Sequence, residues 1–496
     1  MTPKWKRGAN DNAVTHPSSK RSAIDQNDRD FSDQEEIDAE LSSINNLLEE
    51  EETSQKQTWQ IGKRVKKLLE NHENLPISKE LDAYFLWGTA LTRLASLNED
   101  PILANAAVDK FEQMIQLNHD KQDTAEEDAI DEALGPVGFS LWGSALLIIA
   151  TETLNEQVLD QALTKLERAI QVDGGTTFET RFQFAKALKE GGELMAFLAP
   201  NDGRKRRNYY AKALQVCSTL QDIYSIELEK NKVQEGSDDD DQVTSQDFAQ
   251  VKLLEAVLQG LLEDSGSVED FCRTITLYQE ASVLSPESAE AVMEKTNYLA
   301  ARCLAKTTLG AKPTVQEWTK LFDNLEAEYK SLLIAAGFDL IECHYICHRK
   351  DTHNQEELED EEVDERVPHL LNTLGKGLAA FVRSFPHLDY NTGQRQKKKQ
   401  KRKRHEVAGN ARFTHAVEVL RTAHHFHDKL GSYYLACLYA SPAFEDEAQC
   451  RIWLETADSY GALEDEFDAQ EFSTMHNKTW FKRLTEPVVQ LEEVDG

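Results

Sequence analysis

Two nearly identical hexapeptides decide the fold of this 496-residue chain: Leu86-Trp87-Gly88-Thr89-Ala90-Leu91 and Leu141-Trp142-Gly143-Ser144-Ala145-Leu146, which lie 55 positions apart. The similarity continues at the same interval: the segment KFEQMIQL at 110–117 is similar to the segment KLERAIQV at 165–172. A sequence that repeats itself at a fixed interval over the length of a helix is typical of proteins built from stacked supersecondary units. The two copies therefore predict a chain of repeated helical hairpins.

Each copy follows the pattern of a tetratricopeptide (TPR) repeat. A glycine on the first helix lets the second helix approach closely, and a small-large-small series on the second helix fills the space. The repeat signature consists of Trp87, Gly88, Ala107, Phe111, Trp142, Gly143, Ala162 and Leu166. The interval between the two helices is about seven residues longer than in the usual TPR unit, which predicts a long connecting loop. We expect the aromatic residues of the signature to pack between helices.

The remaining chain predicts further helices and no convincing β pattern, so the predicted fold class is all-α: a TPR-like helical-hairpin α-solenoid with a disordered N-terminus and charged loops. Weaker helix pairs are predicted at 178–198 with 209–220, 248–262 with 268–284, 291–306 with 315–336, and 433–440 with 448–457, with a single helix at 367–385. The predicted parts are a disordered N-terminal tail at 1–30, N-terminal capping helices at 31–75, a TPR-like repeat array at 76–340, a helix with acidic (356–365) and basic (395–404) segments at 341–410, and a C-terminal TPR-like hairpin and tail at 411–496.

The first capping helix has its own signature. Ser32 and Glu35 have the spacing of a capping box, which predicts a helix that starts there. The apolar side chains that follow fall on one helical face: Ile37, Leu41, Ile44 and Leu48.

Composition excludes several classes of protein. The formal net charge is −33 and the pI is about 4.8, so direct binding of nucleic acid is not expected. The longest apolar run, Ala145 to Ala150, is far shorter than the roughly 18 to 20 residues that cross a bilayer. No apolar stretch typical of a secretory signal follows the first charges, and seven dispersed cysteines indicate a reducing compartment. We therefore expect an intracellular protein without a membrane partner.

Charge blocks suggest where the protein resides. The basic segment 395–404 has the composition of a nuclear-localisation signal, which importin binds as an extended string of cations. Its cationic residues are Arg395, Lys397, Lys398, Lys399, Lys401, Arg402, Lys403 and Arg404. Two alternatives stay open: a solvated loop that pairs with the acidic segment 356–365, or a contact with RNA or DNA. The acidic tracts Asp238–Asp241 and 356–365 are typical of solvated linkers, or they bind a basic partner.

Two clusters of histidine raise the question of a metal. On a helix, Cys343 with Cys347 and His344 with His348 would lie one turn apart, and His353 follows. A structural zinc site needs four ligands, and no second ligand pair is visible in the sequence. The run His424-His425-x-His427-Asp428 lacks a matching distant partner. Because no phosphate-binding loop, nucleophile elbow, kinase motif or dinucleotide fingerprint occurs either, we predict no catalytic, cofactor or metal site and a protein that is not an enzyme.

The repeats and charge blocks together resemble the fungal enhancer-of-translation-termination family of nuclear, acidic, TPR-like adaptors. The similarity covers about residues 31–290 and rests on the acidic helix near 33–52, the helix at 62–71, the 84–91 helix and its partner at 110–117. The resemblance implies a non-enzymatic nuclear protein that promotes correct stop-codon termination and influences hypoxic gene expression. It implies as partner an iron- and 2-oxoglutarate-dependent, prolyl-hydroxylase-like dioxygenase, with the termination machinery.

Two functional hypotheses follow. In the first, the protein is an adaptor whose groove, formed by exposed positions of the helices containing Trp87, Trp142 and the 179–198 segment, holds a protein partner. In the second, it is an acidic chaperone that binds histones or ribosomal proteins through Asp238–Asp241 and 356–365. The second hypothesis predicts binding that weakens steeply with salt.

Overall fold

The computed structural model describes residues 23–49, 54–72, 75–121, 127–174, 177–233, 243–263, 267–305, 313–349, 363–387, 410–463 and 467–485. Every regular element within these ranges is helical, so the predicted all-α fold class is confirmed there. Contacts between Cα atoms divide the chain into two compact units, Met1–Gly174 (unit 1) and Gly175–Gly496 (unit 2). The repeat array predicted at 76–340 extends over this division.

The described residues of unit 1 form six helices: α1 (Ala23–Glu49), α2 (Gln55–Asn71), α3 (Ile77–Asn98), α4 (Pro101–Lys121), α5 (Glu127–Glu152) and α6 (Glu156–Val172). The two predicted repeats form the hairpins α3–α4 and α5–α6, and α5 also packs against α3 and α4. Both copies of the sequence repeat are therefore helical hairpins stacked on one another. The predicted long loop between the helices is wrong: only residues 99–100 and 153–155 connect them, because the helices themselves are longer.

Helices α1 and α2 pack against α3 and cover that end of the stack. The predicted apolar face of α1 is buried at Ile37, Leu41, Ile44 and Leu48. The helix begins at Ala23, however, before the predicted end of the tail at 30, so Ser32 lies inside the helix instead of capping it. Residues 23–31 contain neither glycine nor proline, and nothing in them ends a helix. Residues 1–22 of the predicted tail lie outside the described residues.

Helix α5 is kinked where Gly135 adopts a φ of 59° before Pro136. A proline ring disfavours the helical conformation of the residue before it, and glycine tolerates the positive φ. The apolar segment Leu134–Glu152, which includes this kink, is 19 residues long and could cross a bilayer by length and composition. In the structure 56% of this segment is buried within the protein, and core helices have the same composition.

Unit 2 contains the helices α7 (Phe178–Leu198), α8 (Gly203–Val233), α9 (Ser245–Leu262), α10 (Val268–Leu284), α11 (Glu290–Leu304), α12 (Val315–Ala335), α13 (Ile341–Arg349), α14 (Arg366–Ser384), α15 (Ala411–Phe426), α16 (Ser432–Ala440) and α17 (Glu447–Ser459), and the 3₁₀ helix Ala469–Phe472. The hairpins are α7–α8, α9–α10, α14–α15 and α16–α17. The predicted pair 291–306 with 315–336 exists as helices α11 and α12, but α11 packs chiefly against α14.

An extensive apolar core holds α11, α12 and α14 together in unit 2. The Phe322 and Phe381 rings lie 4.7 Å apart between α12 and α14. Tyr329 is fully buried, and its hydroxyl lies 3.0 Å from Thr296 Oγ1 on α11. Burying an aromatic side chain of this size stabilises the fold by about 1.5–3 kcal/mol. This packing fixes the positions of α11 and α14, whose other faces form a groove.

Candidate functional site

The repeat signature forms two equivalent close contacts in unit 1. A Cβ atom added at Gly88 would lie 2.8 Å from the Phe111 ring, and one added at Gly143 would lie 2.6 Å from Leu166 Cγ. Ala107 and Ala162, which complete the signature on α4 and α6, have no exposed surface. The glycines therefore allow the close approach of the two helices that the sequence predicts.

The tryptophans of the signature are covered in the same way in both hairpins. Lys110 Nζ lies 4.4 Å from the centre of the Trp87 ring, and Lys165 Nζ lies 3.6 Å from that of Trp142. Desolvation at these positions lowers the pKa of both lysine amines. Trp142 also stacks on Phe111, with ring centres 6.3 Å apart. Both tryptophans thus serve to pack helices, as predicted.

A groove lies in unit 2 between α11, α14 and α16 and encloses about 410 Å³. We call it the α11–α14–α16 groove. Its floor consists of small side chains, among them Ala300 and Ala301 on α11 and Ala379 on α14. Polar and aromatic side chains surround this floor: Asn297, Lys376, Arg383, Tyr433, Tyr434, Asp468 and Glu471. Small residues on a helical surface allow the backbone of a bound segment to approach closely.

Two cations in this groove differ in their partners. Arg383 forms an ion pair with Glu471, so its charge is compensated within the protein. Lys376 instead lies over the face of Tyr434, with Nζ 5.5 Å from the ring centre. Among the residues that the structure describes, no carboxylate forms an ion pair with Lys376. Lys376 also interacts electrostatically with Glu294 but forms no ion pair with it, so its ammonium group can still pair with an anionic side chain from outside.

Half-buried carboxylates lie on the neighbouring helices of unit 2. Burial raises the pKa of Glu190 on α7, and Lys189 partly offsets this effect. Burial likewise raises the pKa of Glu294 on α11, which also experiences the charges of Lys189 and Lys376. Neither carboxylate lines the α11–α14–α16 groove, and both belong to charge networks with nearby lysines.

The cysteine and histidine segment at 343–348 forms helix α13, as its spacing predicts. Cys343 is buried, whereas His344 and His348 are exposed on one side of the helix. Both rings approach Glu418 on α15: His344 Nδ1 and His348 Nε2 lie 2.9 and 3.3 Å from Glu418 Oε1. Sequence reasoning missed Glu418 because it lies 70 residues from His348 and joins the cluster only through the packing of α13 on α15.

The second histidine run does not converge on one point. His424 Nδ1 lies 3.3 Å from the Leu430 carbonyl oxygen. The His427 ring instead lies 5.7 Å from that of His369 on α14. The side chains of His424 and His427 thus contact different parts of unit 2 and do not form one cluster.

Most of the charge blocks lie outside the described residues. This holds for the predicted localisation signal at 395–404, for Asp238–Asp241 and for residues 356–362. At the end of the second acidic block, Asp364 accepts hydrogen bonds from the Arg366 side chain and backbone, which hold its pKa at about 2.

No protein-family model and no curated protein matches this chain.

Proposed function

We propose that this protein is a non-enzymatic nuclear adaptor that holds an extended segment of a protein partner in the α11–α14–α16 groove. The observation that carries the proposal is the combination of an alanine floor with Lys376, which has an aromatic contact and no described carboxylate as ion-pair partner. Stacked helical hairpins commonly bind protein segments along such a face.

The groove suits an extended segment better than a small metabolite. Ala300, Ala301 and Ala379 line it with small side chains, which let the backbone of a bound segment approach closely. Tyr433 is buried and its hydroxyl accepts a hydrogen bond from the Asp468 amide, so it shapes the groove and is not a free polar group. We expect an aspartate or glutamate of the partner to pair with Lys376, because a partly desolvated ion pair of this kind gives specificity and orientation.

Charge reversal in the groove tests the proposal. Tagged wild-type protein, Lys376→Glu and a matched control, Lys212→Glu at an exposed lysine on α8, are purified from their own cells at two salt concentrations. Mass spectrometry quantifies the bound proteins. We expect Lys376→Glu to lose at least about tenfold of one specific partner, equivalent to about 1.4 kcal/mol, while Lys212→Glu retains it. Equal recovery of every partner by both variants would refute the groove as the binding site.

The sequence resemblance supplies the first partners to examine: a 2-oxoglutarate-dependent dioxygenase and the termination machinery. Retention of either at high salt by the wild-type protein would support the role in translation termination and hypoxic gene expression. Recovery of histones or ribosomal proteins only at low salt would instead indicate the acidic chaperone, since electrostatic binding at exposed tracts is screened.

Nuclear residence is proposed from the basic segment 395–404, which importin would bind. Replacing its lysines and arginines with alanine should move a fluorescent fusion protein from the nucleus to the cytoplasm. Alanine at Lys4, Lys6 and Arg7, a weaker basic cluster, is the control. Nuclear accumulation that persists without the 395–404 charges would contradict this assignment.

A further inference from the structure

The imidazoles of α13 and a carboxylate of α15 converge outside the proposed groove. His344 and His348 are one helical turn apart, and their ring centres are separated by 4.4 Å. One candidate ligand atom from each histidine and one from Glu418 all lie within 4.8 Å of one another. This is the one group of three such side chains with this geometry in the described part of the chain.

We propose that His344, His348 and Glu418 bind a divalent first-row transition metal ion, with zinc as the best match. Zinc takes imidazole nitrogens and carboxylate oxygens at about 2.0–2.2 Å, and in a tetrahedral site the ligand atoms lie about 3.3 Å from one another. The two measured distances, 2.9 and 3.3 Å to Glu418 Oε1, are close to that separation. The ligand atoms of the two histidines lie within 4.8 Å of each other, so rotation of these exposed side chains has to bring them to the tetrahedral separation.

The surroundings favour a cation at this position. An open cleft of about 630 Å³ adjoins His344 and Glu418, and its lining includes the acidic residues Asp323, Glu326 and Asp339. Lys330 also lines the cleft, Asp323 pairs with Arg412, and Glu326 pairs with His415, so the negative charge that remains to attract a cation comes chiefly from Asp339 and Glu418. The open side leaves room for water or another ligand as the fourth ligand, as zinc sites with three protein ligands require.

The protein holds the three ligands unequally. Glu418 is largely buried, with its side chain 12% exposed, whereas the side chains of His344 and His348 are 62% and 59% exposed. The Cys347 thiol contacts the Glu418 carbonyl oxygen at 3.4 Å and ties α13 to α15 beside the site. Cys343 is buried and faces away from solvent. The carboxylate is thus fixed by packing, and the exposed imidazoles can adjust to the ion.

Titration of the tag-free full-length protein with Zn²⁺ and Co²⁺ tests the site, because an affinity tag of histidines would itself bind metal. We expect saturable binding of one Zn²⁺ per chain and, with Co²⁺, visible absorption of the intensity typical of four- or five-coordinate cobalt. Ca²⁺ and Mg²⁺, which prefer all-oxygen sites, should not compete. Absence of saturable zinc binding by the wild-type protein would overturn the proposal.

Substitution of each proposed ligand tests whether the ion binds at this site. His344→Ala and His348→Ala should each weaken Zn²⁺ binding at least about tenfold, and Glu418→Gln should also weaken it. His425→Ala, at an exposed histidine of the same helix as Glu418, should leave the affinity unchanged. Circular dichroism of the metal-free variants checks folding, and the exposed histidines are not expected to affect it. Unchanged affinity in His344→Ala and His348→Ala, or a loss in His425→Ala instead, would place the metal elsewhere and refute the site.

Discussion

At the scale of single residues, the glycines of the repeat signature determine how closely the two helices of each hairpin approach each other. A Cβ atom at Gly143 would collide with Leu166 Cγ at 2.6 Å and would crowd the Ala162 carbonyl oxygen at 3.1 Å. The backbone oxygen cannot move without shifting α6. The same contact occurs in unit 2, where Gly192 faces Tyr210 and Gly375 faces Leu420, although those pairs lack the hexapeptide.

Gly143→Ala should therefore destabilise the protein. Alanine favours a helix over glycine by about 1 kcal/mol, but overpacking of a tight contact costs about 1–3 kcal/mol, so we expect a net loss of up to about 2 kcal/mol. Gly62→Ala in α2 is the control, because its Cβ would lie 3.9 Å from Trp87, an ordinary contact. It should gain about 0.5–1 kcal/mol. Urea unfolding followed by circular dichroism measures both, and equal stability of the two variants would contradict the packing role of Gly143.

Glu294 gives a prediction about pH. Burial raises the pKa of this carboxyl in the folded protein above its ordinary value of 4.5. The folded state thus binds the proton more tightly than the unfolded state. The resulting stabilisation is complete below the unfolded pKa and is lost as the pH rises through the folded pKa. Glu294→Gln, which stays uncharged, should raise the thermal midpoint at pH 7 relative to the wild-type protein, and the difference should shrink toward pH 4.

The comparison for this pH effect is Glu287→Gln, at an exposed carboxylate in the turn before α11. It should change the midpoint little at either pH. A Glu294→Gln protein that is less stable than wild type at pH 7 would show that the ionised carboxylate is instead stabilised by its neighbours.

At the scale of elements, helix starts and periodic faces could be predicted well from the sequence. The predicted helix at 178–198 coincides with α7, and the predicted helix at 268–284 coincides with α10. Each has apolar residues at helical spacing and a clear end. The start of α1 was wrong because a capping-box pattern also occurs inside a helix when nothing before it ends the helix. The partner of α11 could not be predicted, since its packing on α14 depends on contacts about 80 residues apart.

The N-cap of α6 offers a test of such local signals. The Asn155 side chain accepts hydrogen bonds from the backbone amides of Gln157 and Val158. Asn155→Ala should lower the free energy of unfolding by about 1 kcal/mol. Thr164→Ala is the control within the same helix: its hydroxyl only donates to the Asp160 carbonyl oxygen on the exposed face, so its loss should cost less than about 0.5 kcal/mol. Equal losses in the two variants would argue against the capping role.

At the scale of the whole molecule, the sequence predicts the helical hairpins of both units better than it predicts their binding surfaces. The hairpins follow from local periodicity and from the 55-residue repeat. The α11–α14–α16 groove joins Ala301, Lys376 and Tyr434, and the candidate metal site joins His348 to Glu418. These residues come together only when helices distant in the chain pack. The sequence instead predicts a groove at exposed positions of the helices that carry the repeat signature, while the signature residues themselves pack in unit 1, as predicted.

The central claim is that one protein partner occupies the α11–α14–α16 groove, and site-specific photo-cross-linking tests it most directly. A photo-reactive amino acid placed at Ala301, an exposed position in the groove, is compared with one at Lys212 on α8 in living cells. The account predicts that Ala301 cross-links to one segment of one protein, that this segment contains an acidic residue, and that Lys376→Glu abolishes the product. No cross-link at Ala301, or the same product from Lys212, would contradict it.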